Sequence, residues 1–128
     1  MTSLIPKSAV ACAVVLTFAT AQASAATIRV TCEQRGTQRA TASVDGKNLA
    51  RGSYSAVIVS GGNTASAPPR ATVGDEVEFD FSSQPNDISA GATAVSPVFI
   101  TNASITGKIV DASGNTVVAD TVSCRVRR

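Results

Sequence analysis

Histidine and tryptophan are absent from this 128-residue chain, and its one methionine is Met1. Without histidine there is no imidazole general base, no Ser–His or Cys–His nucleophile pair, and little to hold zinc or copper. Without an internal methionine, thioether ligation of copper is excluded as well. No Gly-x-Gly-x-x-Gly or phosphate-loop run occurs. Catalysis would have to rest on carboxylates, lysine, tyrosine or serine alone, so the expectation is a non-enzyme that takes no cofactor. Aromatics make up only 4%, which forces a lean core of Val, Ile, Ala and Thr around Tyr54, Phe79, Phe81 and Phe99. The formal charge is +2 with both signs interspersed. A nucleic-acid binder shows a basic excess on one face, so no nucleic-acid partner is expected.

What the first residues do carry is an export pattern. Lys7 is the single early cation, Ala9 to Ala21 is uncharged and holds Val10, Val14, Val15, Leu16 and Phe18, and small residues follow in Ala21-Gln22-Ala23 and Ala23-Ser24-Ala25. Charged start, short apolar middle and A-x-A end are the parts of a secretory signal. The apolar run falls short of the roughly 20 residues a bilayer core requires, so it reads as a leader and no transmembrane segment is expected. Residues 1–25 are assigned to a cleaved signal peptide, with Ala23 and Ala26 as alternative cleavage points, and residues 26–128 to one domain. The Ala-rich leader resembles bacterial signals, and the expected location is secreted or periplasmic.

Cys12 leaves with the leader, and the residues before it lack the Leu of a lipoprotein acceptor site. Two cysteines remain, Cys32 and Cys124, 92 residues apart. An even count in an exported chain implies a bridge, and two cysteines pair in one way. That bridge would hold the first and last strands together.

Sustained helical spacing is missing and period-two alternation recurs. Ile28, Val30 and Cys32 alternate with Thr27, Arg29, Thr31 and Glu33. Residues 38–44 form a second strand, and Asp45-Gly46 reads as a tight hairpin turn with residues 47–50 returning. Residues 52–60 read as a central strand, with Tyr54, Ala56 and Ile58 on one face and Val57 and Val59 on the other. Gly61-Gly62-Asn63 is a turn, and residues 64–67 are an edge strand stopped by Pro68-Pro69. In residues 76–82, Val77, Phe79 and Phe81 face inward. Residues 83–96 read as a long loop with room for a helical turn, and residues 97–102 as a further strand. Residues 104–111 and 116–119 form a hairpin around 112–115, and residues 121–127 end the chain. An inward-facing Val117/Ala119 followed by an inward-facing Val122/Cys124 requires a bulge near Asp120.

Strands of this number and spacing predict an all-β fold, a small two-sheet antiparallel β-sandwich of immunoglobulin-like or Greek-key type closed by the N-to-C-terminal disulfide. Residues 105–118 resemble the hairpin of transthyretin-like and carboxypeptidase-regulatory-like modules, which implies a hairpin there and nothing about function.

Candidate sites are few. Asp75, Glu76, Glu78 and Asp80 form an acidic stripe whose last three members alternate onto one face about 6.6 Å apart. As calcium ligands they would need further oxygens from a neighbouring loop, since calcium takes six to eight. As a solvated strand face they would meet Arg29 or Lys108. Residues 111–115 lack the spacing of a calcium hand and read as a turn. Asn102-Ala103-Ser104 matches the glycosylation triplet. The end Arg125-Val126-Arg127-Arg128 reads as a solvated terminus, with anionic envelope polymers as its alternative contact. The loop of residues 83–96 is the expected recognition surface, with Gln84, Asn86, Asp87 and Ile88 as candidates, because long loops in compact domains often carry function. The functional expectation is an exported non-catalytic domain that binds or supports an envelope or extracellular macromolecule. Two alternatives stand beside it, a self-assembling fibre- or pilus-like subunit and a calcium- or carbohydrate-binding module.

Overall fold

The alternating segments become strands in the computed structural model, which describes residues 25–128; residues 1–24 of the expected leader, with the cleavage point after Ala23, lie outside the described residues. In chain order the elements are β1 (Thr27–Arg35), β2 (Arg39–Lys47), β3 (Ser53–Ser60), β4 (Asn63–Ser66), β5 (Arg70–Ala71), β6 (Val77–Ser82), α1 (Pro85–Ser89), β7 (Thr93–Ala94), β8 (Ser104–Asp111), β9 (Thr116–Ser123) and β10 (Arg125–Arg127). They form two sheets. The first runs β10-β1-β2-β6-β7, and the second runs β4-β3-β8-β9 with β5 also on β3. Pairing is antiparallel except for β1 with β10 and β6 with β7.

Period-two burial places the core between these sheets. Val30, Ala40, Ala42, Val44, Val77, Phe79 and Phe81 descend from the first sheet, and Tyr54, Ala56, Ile58, Ile105 and Ile109 from the second. Connections that cross between sheets add Leu49, Phe99 and Ile100. The Tyr54 hydroxyl donates to the Ala50 carbonyl at 2.6 Å, so the one tyrosine is buried without an orphan polar atom. The Cys32–Cys124 disulfide forms, with 4.7 Å between the Cα atoms. It joins β1 to the chain just before β10, as the cysteine arithmetic predicts.

Four expectations are corrected. Asp45-Gly46 is not a turn: both residues lie within β2, paired to Arg29 and Ile28 on one side and to Glu78 and Val77 on the other. Gly46 is there for room, since a Cβ would sit 3.1 Å from Leu49 Cδ1 and 3.2 Å from Ile109 Cγ1. The chain instead leaves β2 at Asn48 (φ 58°) and crosses to the second sheet, so residues 47–50 do not return beside β2. Residues 97–102 form no strand. Phe99 and Ile100 are buried, but the segment is a crossover with one isolated bridge, Thr101 to Ser104. The bulge falls at Val117 rather than near Asp120: the register passes from Ile109↔Val118 to Val110↔Thr116 and leaves Val117 unpaired and exposed. With the extra residue there, Val118 and Val122 both pack against the core while Ala119 is exposed, and no parity change is needed before Cys124.

The residue 83–96 loop does contain a helical turn, α1, begun by Pro85 at its first position, and β7 continues it along the edge of β6. Among the described residues no helix is long and apolar enough to cross a membrane.

Candidate polar cleft on the outer face of the first sheet

Because β1, β2 and β6 bury their alternate residues, the intervening ones must stand on the outer face of the first sheet. Register aligns them in rows. Thr31 lies beside Ser43, and Ser43 beside Asp80; in the next row Glu33 lies beside Thr41, and Thr41 beside Ser82. With strands about 4.8 Å apart, these six side chains make a floor of four hydroxyls with a carboxylate at each end of a diagonal. Thr31 and Ser43 hydroxyls are 2.7 Å apart and hydrogen-bonded.

The loop after β6 folds over this floor. Ser82 accepts the Gln84 backbone N–H at 3.0 Å and donates to Asp87 Oδ2 at 2.7 Å. That pair of bonds fixes α1 above the sheet and explains why Ser82, at an outward position, is only 2% exposed. The result is a cleft of about 550 Å³, floored by the hydroxyl rows, walled by Asp87, Ala90 and Ala92, and bounded by Arg125 and Cys32 on the far side. Glu33 is held by Arg127, Nε to Oε2 at 2.9 Å, the ion pair formed among the described residues. Both partners are substantially exposed, so the pair positions the side chains more than it stabilises the fold. No described residue hydrogen-bonds the Asp80 carboxylate. The cleft thus offers an acidic end at Asp80 and Asp87, a basic end at Arg125, and neutral hydroxyls between.

One row below, Arg29, Asp45 and Glu78 stand side by side. Partial burial, then the neighbouring Glu78 and Asp80 carboxylates, raise the Asp45 pKa above its ordinary 3.8, against the pull of Arg29 and Lys47. A raised folded pKa means the native state holds its proton more tightly, so this group's contribution is present below 3.8 and is lost as pH rises through the raised value. Asp45→Asn should therefore raise the melting temperature at pH 7 and leave it unchanged at pH 3; thermal melts at the two pH values check this.

The predicted site residues are dispersed. Asp80 lines the cleft, whereas Glu76 and Glu78 line a shallow depression beside Arg70, whose Nη1 donates to the Glu78 carbonyl at 3.1 Å. Asp75 lies in the turn before β6, where its carbonyl accepts the Leu49 N–H. Among the described residues no three His, Cys, Asp or Glu side chains gather as a metal site would require. Arg29 is one strand away from the acidic stripe across Asp45, and Lys108 lies on the other sheet, opposite Val57 and Ala119. Of the loop candidates, Asp87 enters the cleft, while Gln84, Asn86 and Ile88 do not line it. Thr31, Glu33, Thr41 and Ser43 escaped the sequence reading as site residues, and Arg125 entered it only as part of the chain end. Their only local signal is their outward parity, and register alone brings them together. No family model, curated protein or solved structure matches this chain.

Proposed function

We propose that the chain is an exported, non-catalytic β-sandwich of immunoglobulin-like Greek-key type whose outer-face cleft binds an envelope or extracellular macromolecule. The connectivity supports the fold type: β1-β2-β6 on one sheet and β9-β8-β3-β4 on the other, with crossovers after β2, β5, β7 and β9, is in keeping with the strand arrangement of that architecture. The disulfide and the leader pattern support export, to the periplasm or beyond. The absence of histidine supports a binding role over a catalytic one. The observation that carries the reading is the cleft itself, a concave surface with a few convergent polar groups held by a rigid sheet. The fibre-subunit alternative has less support, since β1 is paired with β2 from Thr27 to Arg35 and staples its own C-terminal segment.

Ser43 sits at the centre of the floor, so Ser43→Tyr should fill the cleft without touching the core. Capture of a partner from envelope extract by the purified protein should be abolished by Ser43→Tyr and kept by Lys108→Gln on the opposite sheet. Capture that survives Ser43→Tyr would place the binding surface elsewhere.

A further inference from the structure

The β1–β2 hairpin end of the same outer face carries a second arrangement. Arg39 pairs in register with Arg35, and Arg35 pairs with Arg127. Three arginines therefore stand in one cross-strand row, and Arg125 stands in the next, beside Glu33. Arg128 follows directly. These are five of the chain's eleven cationic residues, and Glu33 is the carboxylate among them. Like charges directly opposite one another destabilise a sheet, so the row costs stability while nothing within it is gained.

Two details say what would offset that cost. The Arg39 Nε is buried and has no hydrogen-bond partner among the described residues. A buried unpaired donor is costly, and a charged one more so. Arg127 meets Glu33 through Nε. The row thus presents guanidinium forks, the geometry that takes oxyanions in pairs of hydrogen bonds.

We propose that this arginine row is an oxyanion site for an acidic polysaccharide, a glycan bearing sulfate, phosphate or carboxylate groups; the inference rests on the cleft reading and names its ligand class. A row about 10 Å across, from strands spaced about 4.8 Å, spans more than one anionic group. It borders the cleft through Arg125, so a chain anchored there by its charges lays its sugar hydroxyls over Thr41, Thr31 and Ser43. Among the described residues Tyr54 and the phenylalanines Phe79, Phe81 and Phe99 are all buried, so none of them offers a platform at the row for the stacked bases of a single-stranded nucleic acid. Val126 is the one large apolar side chain exposed in this row's strands, too little for insertion into a lipid surface.

The disulfide-bonded protein is titrated with a heparin-derived sulfated oligosaccharide, and in parallel with single-stranded DNA of equal charge and with phosphatidylglycerol vesicles. The oligosaccharide should bind saturably and more tightly than either comparator. Arg35→Gln and Arg125→Gln should each weaken it about tenfold, the loss of a charged hydrogen-bonding group, with Lys108→Gln unchanged. Arg35→Gln should also raise the melting temperature, because it relieves the like-charge row. The proposal is overturned by absence of oligosaccharide binding at low salt, by an equal loss with Lys108→Gln, or by tighter binding of DNA or vesicles. It is likewise overturned if Arg35→Gln lowers the melting temperature and leaves affinity intact, which would make the row a packing feature. Should Arg35→Gln leave affinity unchanged while Ser43→Tyr still blocks envelope capture, the oxyanion site fails and the cleft stands.

Discussion

Reduction of the Cys32–Cys124 bridge should lower the unfolding free energy by about 4–5 kcal/mol, the loop-closure entropy of a 92-residue separation released into the unfolded chain. That is a large share of the roughly 5–15 kcal/mol available to a domain, and here few other contacts duplicate it. β10 is held to β1 by three register pairs, Glu33↔Arg125 to Arg35↔Arg127, and by the exposed Arg127–Glu33 ion pair. Two consequences separate in an experiment. Guanidinium unfolding with and without a dithiol reports the global term, where the midpoint should fall and the slope should rise because the reduced chain exposes more surface when unfolded. Hydrogen exchange reports the local one, with the amides of β10 losing protection first while those of β3 and β8 keep theirs. The same release carries Arg125 away from the cleft and Arg127 away from Glu33. Binding at the outer face should therefore weaken on reduction even at temperatures where the sandwich stays folded. A reduced protein with an unchanged midpoint would mean that packing alone fixes the chain ends.

How far the residues disclosed this arrangement depends on the distance over which their partners lie. Val77, Phe79 and Phe81 are legible as an inward face because their alternation is local and unbroken, and all three are buried. The cysteine pair is legible because two thiols allow one pairing. Gly46 is misleading for a physical reason. A glycine after an aspartate signals positive φ in a turn, yet the same missing Cβ also admits a close neighbour, and here the neighbours are Leu49 and Ile109, the latter 63 positions away and on the other sheet. Residues 97–102 mislead similarly. Val98, Phe99 and Ile100 have strand-like side chains, but burial rather than pairing is what their apolarity secures, as two of the three are buried within a crossover. The cleft was half legible: the loop of residues 83–96 stands out, but its floor does not. Thr31, Thr41 and Ser43 are unremarkable outward residues until β1, β2 and β6 are placed in register. The arginine row is hidden for the same reason, since Arg35, Arg39 and Arg127 become neighbours only when the C-terminal strand turns back onto the first.

Gly107→Val should be the most damaging single substitution in the second sheet, at about 3 kcal/mol. Gly107 lies in the middle of β8 between β3 and β9, paired with Ile58 and Asp120, a place where glycine weakens a strand unless something approaches closely. What approaches is the opposite sheet. A Cβ at residue 107 would stand 2.7 Å from Val30 Cγ2 and 3.1 Å from Val44 Cγ2, and both valines are buried. The neighbours are branched side chains on the paired strands β1 and β2, so they cannot swing aside, and the first sheet and β8 would have to part. β1 is the strand that carries Cys32, Thr31 and Glu33, so the strain reaches the cleft as well as the core. Val30→Ala removes two of the three close methyl groups, including the nearest, and leaves Val44 Cγ2 at 3.1 Å. Alone it should destabilise by leaving a void, but combined with Gly107→Val it should recover stability, with a coupling of about 1–2 kcal/mol in a double-mutant cycle read by denaturant unfolding. Additive losses in that cycle would mean the sheets are held apart by something other than this valine–glycine contact. A recovered double variant that also regains oligosaccharide binding would show that the spacing of the two sheets sets the geometry of the outer face.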